Sequence, residues 1–416
     1  MKKILCFLLI CIGVASAQEV ISLEQAMNLA LRCNPELQQA RQVRHAAAGR
    51  FWSGIALPQP ELSFSYEYVP RNKSLASFGE RAFEVAQEID FPAVYLLRGR
   101  ILHAETATAD MELRRNALAL LAEVQRRYWE VKACEAQLAI AQANYELAGE
   151  FSRKAAVRQE AGEGSLLEKM TAEVQRTQAQ NSLETAHNDR SAALAQLLLL
   201  LGQEGRSGDR ILSDSLAFTP ASLTLEGIEA AAQRQNPELR LAAINVGALH
   251  SKRSLSWSSL LPGFRLAWSR QALEGGGNDY YGATFSASLP LWFMFDQRGR
   301  IQEAAAELRS GEFAQAATRN ALITRLRTAW LELANQERQV RLYQAELLPQ
   351  AEEICRTAVV SYDAGEIGYL ELLQSRQTLA GVKAGYIDAL LGYHRAAIAL
   401  NELTGTVPAG IQLFED

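Results

Sequence analysis

The chain has 416 residues, 48% hydrophobic and 21% charged, with a formal net charge of −5. That acidic balance argues against a nucleic-acid partner. Its five cysteines and five histidines are scattered, with no Cys-x-x-Cys, His-x-x-His or His-Glu-x-x-His, so no metal-ligand set and no disulfide framework is visible.

In chain order, Lys2-Lys3, the apolar run Ile4 to Val14 and the small residues Ala15-Ser-Ala17 read as a cleavable signal peptide over 1–17. The run is too short to span a bilayer. Cys11 lacks the small residue that precedes a lipidated cysteine, so lipid attachment is not expected. Cleavage removes two lysines and takes the net charge to −7. Cys33, Cys134 and Cys355 remain and read as small apolar residues on helix faces. The longest later apolar run, Ala192 to Leu201, is broken by Gln196 and too short to cross a membrane.

The mature chain repeats itself. Ile21-Ser-Leu-Glu24 followed by Asn34-Pro-Glu-Leu37 returns as Leu223-Thr-Leu-Glu226 followed by Asn236-Pro-Glu-Leu239, and Arg98-Gly-Arg-Ile101 returns as Arg298-Gly-Arg-Ile301. Trp129 matches Trp330, and Gly162 matches Gly365, all at a spacing of about 200 residues. The expected organisation is a first structural repeat over 18–206, a linker over 207–222, a second repeat over 223–405 and a tail over 406–416.

Each repeat opens on a predicted helix, 22–56 and 225–258, capped by Ser22 and Thr224 and closed by Pro58 and Pro262. Period-two alternation follows. Leu62, Phe64, Tyr66 and Tyr68 form one apolar face, continued by Phe83, Val85, Ile89 and Phe91 against Glu84, Glu88 and Asp90. The second repeat does the same with Phe264, Leu266 and Trp268, then Phe285, Ala287 and Leu289 against Thr284, Ser286 and Ser288. These are strands with one greasy and one wet face. Polar connectors at Pro70–Glu80 and Glu274–Asn278 suit hairpin loops.

Long helical arms come next. Val124, Val131, Leu138 and Tyr145 sit seven apart, as do Leu326, Leu333, Val340, Leu347 and Ile354, which implies supercoiling helices. Glu135, Gln142, Glu337 and Gln344 make the companion heptad position polar, as a wall with water on one side would need. From Ile101 to Glu160 the arm would run about 90 Å. Pro349 should bend its arm. Gly162 and Gly365 suit left-handed helix ends, with Ser165 as N-cap and Glu168 as its capping-box partner.

Four strands of about nine residues cannot close a barrel alone, although that length crosses a membrane when tilted. Three copies pooling four strands each would make twelve and remove every edge. At this point the chain resembles the TolC-type outer membrane efflux proteins. The carriers are the duplicated openings, the paired Arg-Gly-Arg-Ile segments, Leu348-Pro-Gln-Ala351 and Tyr362-Asp-Ala-Gly-Glu-Ile-Gly-Tyr-Leu-Glu-Leu-Leu373, over essentially the whole mature chain. The length and a signal without a lipobox look most like the subgroup serving cobalt–zinc–cadmium cation pumps.

The resemblance implies a mainly α fold with membrane β. It would be a homotrimeric twelve-stranded outer-membrane β-barrel, four strands per chain, continued by a long periplasmic coiled-coil tube. It also implies passive export rather than enzymatic chemistry, no cofactor, an inner-membrane efflux pump, and a periplasmic adaptor docking at Gly162, Glu163, Gly365 and Glu366. Glu371 matches an acidic position at the channel entrance, with Gln374 where a second acid can stand. Glu371 reads equally as a helix-capping carboxylate, and capping is the favoured reading for Glu168. Tyr66, Tyr68, Trp268 and Trp292 suit an aromatic girdle or simple packing. Two rivals are a periplasmic adaptor-type coiled coil, which the duplication opposes, and a soluble exported enzyme, for which no nucleophile set or phosphate loop is present.

Overall fold

The computed structural model describes residues 20–162, 164–203, 211–220, 224–273, 279–291 and 294–413. The expected signal peptide, Glu163, Leu223, the 274–278 connector and Trp292 lie outside the described residues.

The elements run β1 (Val20–Ile21), α1 (Leu23–Cys33), α2 (Pro35–Ile55), β2 (Glu61–Glu67), β3 (Glu80–Ile89), α3 (Pro92–Glu160) and α4 (Leu166–Leu200). Then follow β4 (Ile211–Leu212), α5 (Leu225–Gln235), α6 (Pro237–Ser258), β5 (Gly263–Leu273), β6 (Asp279–Ser288), α7 (Gln297–Leu342), α8 (Leu348–Asp363) and α9 (Tyr369–Thr404). Mainly helical, with a strand pair and long helices in each half, this is the expected fold class.

The chain forms two compact units. One comprises Glu36–Asn116 and Glu229–Arg325, the other the described residues of Met1–Pro35, Ala117–Ile228 and Leu326–Asp416.

The first of these carries a four-stranded antiparallel sheet in the order β2-β3-β5-β6. The register aligns Leu62, Val85, Trp268 and Ala283 across the sheet, with Phe64, Phe83, Arg270 and Tyr281 on the next rung of the same face. Rings touch along it: Phe64 with Phe83 at 4.8 Å, Phe264 with Phe285 at 5.8 Å and Trp268 with Tyr281 at 5.8 Å between centroids. Among the described residues its rings stay uncovered; Phe64 is 71% exposed and Phe285 66%. The opposite face is polar, and Arg265 reaches Glu84 at 2.9 Å and Glu61 at 3.5 Å across the strands. Both outer strands, β2 and β6, have an open edge among the described residues.

The expected single helices over 22–56 and 225–258 are each split in two. Asn34 and Asn236 turn extended, at φ −64°, ψ 124° and φ −63°, ψ 123°. The proline after each disfavours the helical region for the residue before it, and then starts the next helix. Asn236 caps that start, its Oδ1 accepting from the Leu239 N–H at 3.0 Å. Asn34 donates from its side-chain amide to the Leu200 carbonyl at 3.1 Å and ties the start of α2 to the end of α4.

In the helical unit, β1 pairs in parallel with β4, which lies inside the expected linker. Tyr128 of α3 binds this corner, its hydroxyl 2.5 Å from Asp214 Oδ2 and 3.1 Å from the Ile21 carbonyl. Burial tends to raise the Asp214 carboxyl, but the bonds from Tyr128 and the Leu23 N–H, with Lys132 nearby, bring it below the usual range.

The heptad seam is buried at Val124, Val131, Leu326, Leu333 and Val340. It thins further along, where Leu138, Tyr145 and Leu347 are half-buried and Ile354 is 53% exposed. Gly385 and Gly392, also seven apart on α9, admit the Tyr343 ring and the Gln336 amide where a Cβ would collide. A single wide turn spans Tyr343–Leu347, with the Leu348 N–H reaching the Tyr343 carbonyl. It sits just before Pro349, whose missing N–H breaks the regular ladder at that point.

Candidate functional site

The two hairpin tips are built alike. Gly162 and Gly365 adopt φ +77° and +78°, which glycine takes without a Cβ penalty. Gly365 donates to Tyr362 O at 3.0 Å and Glu366 to Ser361 O at 2.8 Å, the paired bonds of a Schellman helix end. Gly162 makes the matching bond to Gln159 O at 3.1 Å. The far ends repeat the pattern at Gly202 and Gly405, also 203 residues apart.

The structure brings the tips together through side chains. Arg158, four residues before Gly162, donates from Nη1 to the Tyr362 hydroxyl at 3.3 Å. That hydroxyl donates to Glu168 Oε1 at 3.4 Å, and Arg158 and Glu168 face each other at 3.6 Å. One phenol thus joins the end of α3, the start of α4 and the end of α8.

Beneath it lies a small core of Ala155, Ala172 and Tyr369, packed by Phe151, Tyr362 and Leu373. Burial first, then the neighbouring Tyr362 and Glu168, hold the Tyr369 phenol above its ordinary value, opposed by Arg376. A cleft of about 740 Å³ opens beside the cluster, with Arg153, Lys154, Glu168 and Asp363 among its walls.

The expected capping box at Glu168 is half formed. Ser165 Oγ accepts from the Glu168 N–H at 3.1 Å, but the Glu168 carboxylate points to Arg158 and Tyr362 instead of back to its own cap. A charged partner outweighs an exposed backbone amide that water also satisfies. Glu371 does the opposite: its Oε2 accepts from the Gly368 N–H at 2.5 Å and caps α9. Gln374 is exposed on the next turn of α9, and Glu366 is exposed, accepting from Ser361 Oγ at 3.2 Å. Glu163 lies outside the described residues.

Arg158 escaped the sequence reading because its partners are Tyr362, 204 positions away, and Glu168, which local capping already explained. Tyr362 belongs to the tip motif, yet nothing in its spacing marks it as a bridge.

No helix among the described residues is long and apolar enough to cross a membrane, and no group of three or more His, Cys, Asp or Glu among them could hold a metal ion.

Comparison with known proteins fits this geometry. The family described as outer membrane efflux protein matches twice, over residues 26–203 and 229–406. The cobalt-zinc-cadmium resistance protein CzcC of Cupriavidus metallidurans is 22% identical over 397 residues, 92% of this chain and 90% of its own. The outer membrane channel CmeC of Campylobacter jejuni shares the fold with a TM-score of 0.79 at 16% identity, covering 95% of this chain and 87% of that one. CusC, a protein described by its transmembrane channel formation, gives 0.77 at 16% identity and 92% of each chain. With its duplicated unit matched in both copies, the chain belongs to the outer membrane efflux protein family, a channel component of outer-membrane efflux and not an enzyme.

Proposed function

We propose that three copies of this chain pool their sheets into a twelve-stranded barrel in the outer membrane, while their hairpins form a periplasmic tube. In this reading the assembly passes solutes delivered by an inner-membrane pump. The single observation behind it is the sheet: an uncovered aromatic face, an ion-paired polar face and two open edges in one chain. Water would penalise the first and the edges invite pairing, whereas lipid and identical neighbours satisfy both. Export would follow cleavage after Ala17.

The tips at Gly162, Glu163, Gly365 and Glu366 are the proposed adaptor contacts, and Glu371 with Gln374 the proposed entrance. Three symmetry-related Glu371 carboxylates around a narrow mouth would draw cations. Likeness to CzcC favours heavy-metal cations as cargo, with the ions as substrates and not as resident cofactors.

The test is to purify the protein in detergent, measure its mass, and record conductance in planar bilayers with wild type and Glu371→Lys. A trimeric, conducting species with reduced cation preference in the variant is expected. A detergent-free monodisperse monomer would overturn the assembly, and unchanged selectivity would remove Glu371 from the entrance. Deleting the gene and scoring sensitivity to cobalt, zinc and cadmium against dyes and bile salts separates metal cargo from organic cargo.

A further inference from the structure

Within the helical unit, a second cavity of about 470 Å³ lies between α3, α4 and α9. It exists because small residues meet there: Ala141 and Ala148 on α3, Ala179 on α4, and Ala380, Gly381 and Ala384 on α9. Larger apolar walls come from Ile140, Leu147, Phe151 and Leu373. Amide side chains, Gln175 and Gln178 among them, add neutral donors and acceptors, and Gln137 is itself tied to Asp388 at 3.1 Å.

Among the residues lining this space, one is charged. Arg376 enters with its guanidinium carbon 4.7 Å above the centre of the Phe151 ring. Its Nε and Nη1 are buried and have no hydrogen-bond partner among the described residues. A buried cationic donor left unpaired is costly, and none of the described residues that line the cavity is a carboxylate. The volume lies in the range of small-molecule sites, which combine apolar walls with a few polar anchors.

We propose that this cavity is a binding site for an amphipathic organic monoanion, a carboxylate or sulfonate on an apolar body. The anion would sit on Arg376, and the apolar part would fill the space between Ile140, Leu147 and Leu373. Phe151 holds the guanidinium from behind, a cation–π contact that positions the charge without neutralising it. The site requires neither the trimer nor the cargo proposed above. A free metabolite and an exported solute would present the same chemistry to it.

The experiment uses the full-length protein in lipid nanodiscs and titrates 1-naphthoate by calorimetry, with 1-naphthylmethylammonium as the charge-reversed control. One saturable site per chain is expected for the anion and none for the cation. Arg376→Gln should weaken the anion on the order of tenfold or more. Ala384→Leu keeps the arginine but fills the cavity about two turns further along α9, and it too should abolish binding; retained helicity and oligomeric mass verify that both variants fold. Absence of saturable binding to wild type, as would occur if a second copy covered the cavity, overturns the proposal. So does equal binding by Arg376→Gln, or equal binding of the cation.

Discussion

Breaking the cluster that joins the two tips should loosen them by a calculable amount. Arg158 and Glu168 are 3.6 Å apart, with side chains 45% and 19% exposed. The bare Coulomb energy at that distance runs from about 1 kcal/mol in bulk water to about 5 kcal/mol at an effective dielectric of 20. Exposure of the arginine places this pair near the watery limit, where measured pairs give about 0.2–1 kcal/mol. The Tyr362 bonds, 3.3 and 3.4 Å, are long and together add about 0.5 kcal/mol. The Arg158–Glu168 pair lies within the first tip, so only the Tyr362 bonds cross to the second, and they hold the tips together by about 0.5 kcal/mol, roughly a two- to threefold shift in an equilibrium between joined and parted states.

Glu168→Gln and Tyr362→Phe, singly and together, should each raise the open fraction in single-channel recordings. Because all three residues act as one group, the double variant should gain less than the product of the single effects. Independent, fully multiplicative effects, or an unchanged open fraction in both single variants, would show that the cluster is a surface contact with no part in opening.

Gly385→Ala should destabilise the protein by about 1–3 kcal/mol, since the new methyl meets the Tyr343 ring. Gly149→Ala, in an open helical position, should stabilise it by about 1 kcal/mol; thermal unfolding of both variants distinguishes packing from helix propensity. On the sheet, Phe285→Lys puts a charge on the uncovered aromatic face, costing about 2–4 kcal/mol at mid-membrane, so the folded fraction in outer-membrane extracts should fall, whereas Ser286→Lys on the polar face should be tolerated.

His394 stacks on Trp129 at 4.2 Å and touches the Ala217 carbonyl at 3.1 Å. Burial, partly opposed by that bond, holds its imidazole below the usual value. The unfolded chain therefore takes up the proton first. The residue's contribution is complete above about pH 6.5 and is lost as pH falls through the lower folded value. The unfolding temperature of wild type should thus drop more than that of His394→Gln between about pH 7.5 and about pH 5.

Much of this architecture was legible because duplication writes each feature twice. Gly162 and Gly365 announced the tips, since a left-handed helix end leaves few residue choices. Alternation from Leu62 to Tyr66 announced the sheet face, because period two has one geometric meaning, whereas Tyr68, expected on the same face, turns out of the strand at φ 54°. The helix breaks at Asn34 and Asn236 carried a signal, the following proline, that the apolar periodicity on both sides masked. The wide turn at Tyr343–Leu347 carried none beyond Pro349, for no residue type codes for it. β1 and β4 are two residues each, shorter than any pattern. The Arg158–Glu168–Tyr362 group is a tertiary event: sequence supplies the side chains, but only folding decides that Glu168 leaves its own cap for an arginine on the preceding helix.

The uneven seam has a mechanical consequence. Val124, Val131, Leu326, Leu333 and Val340 are clamped in a dry interface, whereas Ile354 and the half-buried Tyr145 and Leu347 grip weakly. A hairpin anchored in this way behaves as a cantilever: its free end can swing while the anchored residues keep their register. Amide exchange would show this directly as slow exchange around Val131 and Val340 giving way to fast exchange around Ile354. In the proposed trimer such a gradient would let the mouth dilate reversibly, because the anchorage that restores it is never dismantled.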